Sequence, residues 1–213
     1  MLPTIQSIVI SLPPILVALT FHEFAHGYVA LRFGDPTAKF MGRLTLNPLA
    51  HLDPLGTIML ILVRFGWAKP VPVNPRNLKN PRQDMLWIAL AGPAMNLLLA
   101  SITGLIIRII IATQYAPTVG SLGAIFLQML LISLYINLAL AVFNLLPFPP
   151  LDGSKILAGM LPRKYDAFLM QLEHYGPNIL FGIIILGYFT NVRIIGLLIG
   201  PFVKYFSHIL AGI

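Results

Sequence analysis

From Ile109 to Leu151 the chain runs 43 residues without an Asp, Glu, Lys or Arg. A helix needs about 20 mostly apolar residues to cross the hydrocarbon of a bilayer, so this run is too long for one span. Ala116-Pro117-Thr118-Val119-Gly120 divides it and leaves a helix from about 121 to 146. Residues 1–22 and 85–107 are also charge-free, 174–192 is a fourth candidate, and 194–213, interrupted only by Lys204, is a weaker fifth. The ten uncharged residues 54–63 are too short to span and read as a re-entrant or interfacial piece. Only 10% of the 213 residues are charged, against about 25% in soluble domains, which is too few to cover a water-facing surface. The reading is one domain over 1–213. It is an all-α polytopic membrane protein, a bundle of about 4–6 transmembrane helices with a short re-entrant or β-like segment between the first two.

Without cysteine there is no disulfide framework and no thiolate metal site. The net charge of +7 forms no basic cluster on a polar face, so no nucleic-acid partner is expected. A signal peptide at the N-terminus is rejected, because the run lacks a basic n-region and a cleavage site and continues into His22-Glu23. Arg32, Lys39, Arg43, Arg64, Lys69, Arg76, Lys79 and Arg82 lie between the first two spans, while the turn at 113–121 carries no cation. By the positive-inside rule the first span runs outside to inside, and the 152–176 loop, with Lys155, Arg163 and Lys164, is cytoplasmic. His22 then sits ten residues before Arg32, about 15 Å inside the membrane from the cytoplasmic end.

His22-Glu23-Phe24-Ala25-His26 is an H-E-x-x-H pattern inside that span. In a helix, residues i and i+4 share a face, so both imidazoles reach one metal ion while the glutamate serves a water on it. Random placement of this composition gives roughly one such match per thousand chains. Burying a glutamate and two histidines in hydrocarbon costs several kcal/mol unless they are paired or bound to a cation, which makes a packing role hard to sustain.

A catalytic zinc takes three protein ligands, and His51, Asp53, Asp84, Asp152, Asp166, Glu173, His174 and His208 are the remaining candidates. Asp152 stands out because Pro147, Pro149 and Pro150 must end the preceding helix, and unwound backbone at membrane depth belongs in protein or beside a wet cavity. Asp152 as the N-cap of the next helix is an equal alternative on these grounds.

Together, His22-Glu-Phe-Ala-His26 and Asn144-Leu-Leu-Pro-Phe-Pro-Pro-Leu-Asp152-Gly153 resemble the site-2 protease family of intramembrane zinc metalloproteases. Asn47-Pro-Leu-Ala-His51-Leu-Asp53-Pro-Leu-Gly56, Trp67-Ala-Lys-Pro-Val-Pro-Val-Asn-Pro75 and Gly92-Pro93-Ala-Met-Asn96 are similar to its bacterial and archaeal members. The resemblance covers most of 10–160 and implies a catalytic core over about 5–160, followed by C-terminal helices over about 174–213. It implies one Zn²⁺ held by His22, His26 and Asp152, Glu23 as general base, and hydrolysis of peptide bonds in or near transmembrane helices of a membrane-embedded substrate. It also implies a multi-pass protein of a prokaryotic plasma membrane, with the active site nearer the cytoplasm. The soluble PDZ-like insert and the regulatory domain of larger relatives are not expected in this chain.

Asn96 either donates to the substrate carbonyl as it becomes an oxyanion or bonds a neighbouring helix, and the resemblance favours the first. Asn144 either faces substrate or satisfies backbone freed by the proline break, and Asn137 reads as structural. His51 and Asp53, between two turns, are expected to fix those turns rather than bind metal. Residues 38–46 partly alternate and 67–75 must be extended, so they are expected to offer a strand edge to an unwound substrate. Two other functions share these residue types: a membrane zinc transporter and a catalytically silent membrane scaffold.

Overall fold

Helices occupy the uninterrupted apolar runs, and the prolines and polar turns between them set their ends. The structure is a computed structural model that describes residues 5–63, 66–190 and 194–213. In order along the chain come α1 (Ile5–Arg32), α2 (Thr37–Phe40), α3 (Pro54–Val63), α4 (Pro81–Ala112), α5 (Leu122–Asn144), α6 (Asp152–Met160), α7 (Asp166–Thr190) and α8 (Ile194–Ala211). Among the described residues, α1, α4, α5 and α8 are long and apolar enough to cross a membrane. This is an all-α, multi-pass membrane protein. The run at 54–63 is a short helix, α3. Helix α7 covers most of the 174–192 run but is not among those four, whereas α8, the weaker candidate from sequence, is. Residues 191–192 of that run, and Arg64 among the counted cations, lie outside the described residues.

Helix α4 is the hub, packing against α1, α5, α6 and α8. The contacts are lined with small buried residues, Ala18, Ala25 and Ala30 on α1, Ala89 and Ala100 on α4, and Ala141 on α5. Between helices in lipid there is no hydrophobic drive to associate, and such residues gain close van der Waals packing by letting backbones approach. Away from the polar cluster, Ala100, Ile107, Leu134, Leu138 and Ala211 form an apolar core joining α4, α5 and α8.

The strand expected at 38–46 does not form, and among the described residues there is an isolated antiparallel bridge, Leu52 with Ala68, but no strand. Local hydrogen bonds outcompete the extended state. Asp35 accepts from the N–H and hydroxyl of Thr37 and so starts α2. Gly42 then turns at φ +66°, and the N–H groups of Arg43 and Leu44 both donate to the Ala38 carbonyl at 2.8 and 3.2 Å. Residues 66–74 are extended as expected, because prolines at 70, 72 and 75 hold the residues before them out of the helical region. This strap is pinned along its length. The N–H of Lys69 donates to the His51 carbonyl (2.8 Å), and Arg43 donates to the carbonyls of Lys69 (2.7 Å) and Pro70 (3.3 Å). At its far end the N–H of Asn74 donates to Asp35 (2.7 Å). These bonds hold the strap in place.

Candidate metal centre

Helix α1 delivers His22 and His26 one turn apart to the face packed against α4. The third group arrives from the break after α5. That helix stops at Asn144, the chain folds back through 145–151 with the N–H groups of Phe148 and Leu151 donating to Leu146 and Phe148 carbonyls, and α6 begins at Asp152. The N-cap position falls on Leu151, which makes no side-chain cap, so Asp152 is free to point back at α1. Gly153 makes the fold-back feasible, since a Cβ there would collide with the carbonyl oxygens of Leu145 and Leu146.

The three groups meet. His22 Nε2 lies 3.0 Å from His26 Nε2, and Asp152 Oδ2 lies 3.1 Å from the first and 3.2 Å from the second. All three side chains are buried. A tetrahedral zinc with bonds of about 2.0–2.1 Å sets its ligand atoms about 3.3–3.4 Å apart, so the triangle matches one face of such a site. The far nitrogen of His26, Nδ1, faces the Ile88 carbonyl at 2.7 Å. A carbonyl only accepts, so the ring proton of a neutral imidazole sits on Nδ1 and Nε2 presents a lone pair to the centre. Lone pairs converging with a carboxylate oxygen at this spacing repel one another unless a cation lies among them. The donor set therefore fits a zinc ion.

Space for the ion depends on a residue whose role the sequence shows only as small. A Cβ on Gly92 would stand 2.5 Å from Nε2 of both histidines. The Gly92-Pro93 stretch thus lets α4 approach α1 and also leaves the metal position open.

Glu23 is half-buried and lines the same cavity, of about 440 Å³, as His22, His26 and Asp152. Its Oε2 accepts from the N–H of Val71 in the strap at 2.8 Å. Trp67, Val71 and Val73 of the strap, Leu140 and Phe143 of α5, and Leu180, Phe181 and Ile184 of α7 supply an apolar lining. Asn144 is at this wall, its Nδ2 donating to the Leu140 carbonyl at 3.0 Å, and Lys155 brings a cation to the rim.

Asn96 does not stand where an oxyanion donor must. It is fully buried and off the cavity wall. Both amide hydrogens are spoken for, by the Ala18 carbonyl at 3.2 Å and the Asn137 side-chain oxygen at 2.8 Å, while its own oxygen faces Nδ1 of His22. Its position one turn beyond Gly92 points it at the back of the histidine instead of at substrate. The other titratable candidates are engaged elsewhere. His51 donates to the Thr45 carbonyl and Asp53 accepts from Gly56 N–H, each at 2.8 Å and each fixing a turn. Asp84 accepts from the N–H of Asn80 at the start of α4, and Asp166 pairs with Arg82 at 2.9 Å. Glu173, His174 and His208 are exposed on α7 and α8, outside the cavity.

Asp35, beyond the membrane end of α1, anchors the strap that holds Glu23. Burial alone would raise its pKa, but hydrogen bonds from the Thr37 hydroxyl, the Asn77 amide and the N–H groups of Asn74 and Thr37 hold it below the ordinary carboxylate range.

The chain is similar to known proteins. The chain is 44% identical to YwhC of Bacillus subtilis (strain 168) over 162 residues, covering 76% of this chain and 74% of YwhC. It is 35% identical to Rip2 of Mycobacterium tuberculosis (strain ATCC 25618 / H37Rv) over 148 residues, and 33% identical to Rip2 of Mycolicibacterium smegmatis over 166. All three carry names as candidate zinc metalloproteases, and the matches span 53% and 61% of the length of the two Rip2 proteins. No solved structure matches the chain. The family model for peptidase family M50 matches residues 11–121 and 110–187. The chain belongs to peptidase family M50, and with this centre it is a metalloprotease.

Proposed function

We propose that this metalloprotease is a zinc-dependent endopeptidase of the membrane interior, hydrolysing peptide bonds in or near transmembrane segments of other membrane proteins. The observation that carries the reading is the meeting of His22, His26 and Asp152 with Glu23 in one apolar cavity, among helices long enough to span a bilayer. A polar site inside hydrocarbon is costly and has to be repaid by function.

His22, His26 and Asp152 would hold one zinc ion. Bound there, zinc supplies Lewis acidity that brings the ionisation of water toward a pKa of about 7 and polarises a carbonyl. Glu23 accepts the proton of the attacking water, the new C–O bond forms as the scissile C–N bond breaks, and Glu23 returns the proton to the departing amine. The products are a carboxylate end and an amine end. The apolar walls from α5, α7 and the strap exclude bulk water and suit apolar side chains on either side of the scissile bond. Asn144 is the substrate-facing amide of this wall.

The cations of the segment between α1 and α4, with Lys155, Arg163 and Lys164, favour a cytoplasmic placement of this end of α1. Water and the active site are then nearest the cytoplasm of a prokaryotic plasma membrane, and lipid and the substrate's own span are the partners.

The test is zinc content together with cleavage of a model transmembrane substrate, in detergent, for wild type and Glu23→Gln. One zinc in each protein with cleavage only by wild type supports the reading. Zinc flux through reconstituted wild type without cleavage would favour a transporter, and absence of zinc from folded wild type would overturn the site.

A further inference from the structure

The polar groups behind His22 form a chain with a forced direction. Asn137 on α5 donates its Nδ2 to the Ser133 carbonyl at 2.8 Å, and a carbonyl can only accept. Its Oδ1 therefore faces Asn96, whose Nδ2 donates to it at 2.8 Å and to the Ala18 carbonyl at 3.2 Å. That leaves Asn96 Oδ1, an acceptor, against Nδ1 of His22. Both asparagines are fully buried, and neither lines the cavity. Two backbone carbonyls, on α5 and on α1, thus set the polarity of every link.

We propose that Asn137 and Asn96 are positioning residues that keep the ring proton of His22 on Nδ1, so that Nε2 always offers its lone pair to the metal. The proposal rests on the zinc site described above and deepens it. A neutral imidazole can carry its proton on either nitrogen, and only one of the two forms can ligate through Nε2. For His26 the Ile88 carbonyl makes that choice directly. Among the described residues no backbone carbonyl reaches the Nδ1 of His22, and the asparagine pair transmits the same instruction from Ser133 and Ala18 across three helices. If the Asn96 amide were turned over, its NH₂ would face Nδ1, the proton would move to Nε2, and the ligand would be lost. Asn137 prevents this turn, because a reversed Asn96 would set two carbonyl oxygens against each other there. The burial of two amides in an apolar bundle, costly unless both are satisfied, is explained by this role.

The experiment is zinc affinity of the full chain in detergent, measured against a competing chelator, with helical content of the metal-free protein as the control for folding. Loss of an outer partner of a metal-bound histidine lowers affinity about 10- to 100-fold, and Asn96→Leu is expected to do so. Asn137→Leu, which touches neither the histidine nor the metal position, is expected to weaken binding in the same direction. Asn96→Asp keeps the acceptor toward His22 but sets its second oxygen against those of Asn137 and Ala18, so it is expected to bind zinc more tightly than Asn96→Leu and less tightly than wild type. Unchanged affinity in Asn96→Leu, or equal loss in Asn96→Asp and Asn96→Leu, overturns the relay. If the leucine variants do not fold, the metal-free wild type decides: in ¹⁵N-histidine spectra taken where the imidazole is neutral, His22 must carry its proton at Nδ1, and a proton at Nε2 overturns the proposal. Wild type that binds no zinc would sink the metalloprotease reading itself, whereas wild type that binds zinc, with unaffected variants, sinks the relay alone.

Discussion

The N–H of Val71 donates to the carboxylate of Glu23 across 2.8 Å, linking the strap to the second residue of the H-E-x-x-H pattern. Pro70 and Pro72 have no N–H, so Val71 carries the sole backbone donor of that tripeptide. The Pro70-Val71-Pro72 segment therefore directs a single backbone donor, and it goes to Glu23. Hydrogen bonds to charged groups are worth about 1.5–3 kcal/mol. Val71→Pro removes the donor without touching the metal ligands, and kcat should fall about ten- to a hundredfold with zinc content unchanged. Steady-state kinetics on a model substrate, with metal analysis of the same sample, checks this.

Glu23→Gln leaves the three ligands in place and removes the proton acceptor. General acid–base groups contribute about 10²–10⁴-fold, so turnover should drop by at least that order while the zinc stoichiometry stays at one. Loss of zinc from the glutamine variant would mean that Glu23 belongs to the metal's own coordination.

Asp152→Ala removes one of three ligands and should abolish tight zinc binding along with cleavage. Zinc retained at wild-type affinity would show that another group completes the site.

Gly92→Ala adds one carbon, 2.5 Å from both metal-facing nitrogens. Either α4 moves away from α1 or the imidazoles swing out, and both outcomes lose the metal. Zinc binding should be undetectable in a protein that still inserts and remains helical, which metal analysis and circular dichroism of one preparation will show.

Asp35 ties the end of α1 to the strap at Asn74 and Asn77. Its folded pKa is depressed, so its contribution is complete above the unfolded carboxylate value of about 3.9 and fades as pH falls through the lower folded value. Asp35→Ala removes the acceptor shared by Thr37, Asn74 and Asn77 and should cost about 1–3 kcal/mol near neutral pH. Melting curves in detergent should show the gap between wild type and variant narrowing below about pH 4.

The membrane class, most of the spans and the histidine pair were legible because each rests on residue type and spacing, whereas Asp152 as a third ligand came from the family resemblance. Charge-free runs can be counted, a histidine pair four apart shares a helix face in any context, and prolines at 147, 149 and 150 announce a break before Asp152. The stretch at 38–46 misled because alternation is a weak signal against specific local bonds: Thr37 donating to Asp35, with Gly42 in a left-handed turn, made a helical turn cheaper than a strand with no partner.

Asn96 shows the other limit. Its type and its place in Gly92-Pro93-Ala-Met-Asn96 are plain in the sequence, but its task depends on which way an amide faces. That was set by carbonyls of Ala18 and Ser133, 78 and 37 residues away in the chain. Local chemistry along the chain was enough to specify a membrane bundle with two histidines on one helix face and a glutamate beside them. The cavity around Glu23, the aim of the Val71 N–H at its carboxylate, the opening at Gly92 and the polarity of the asparagine pair arise only when α1, α4, α5 and the strap are packed together. Hydrogen-bond direction and free space are properties of neighbours in three dimensions, and spacing along one chain does not encode them directly.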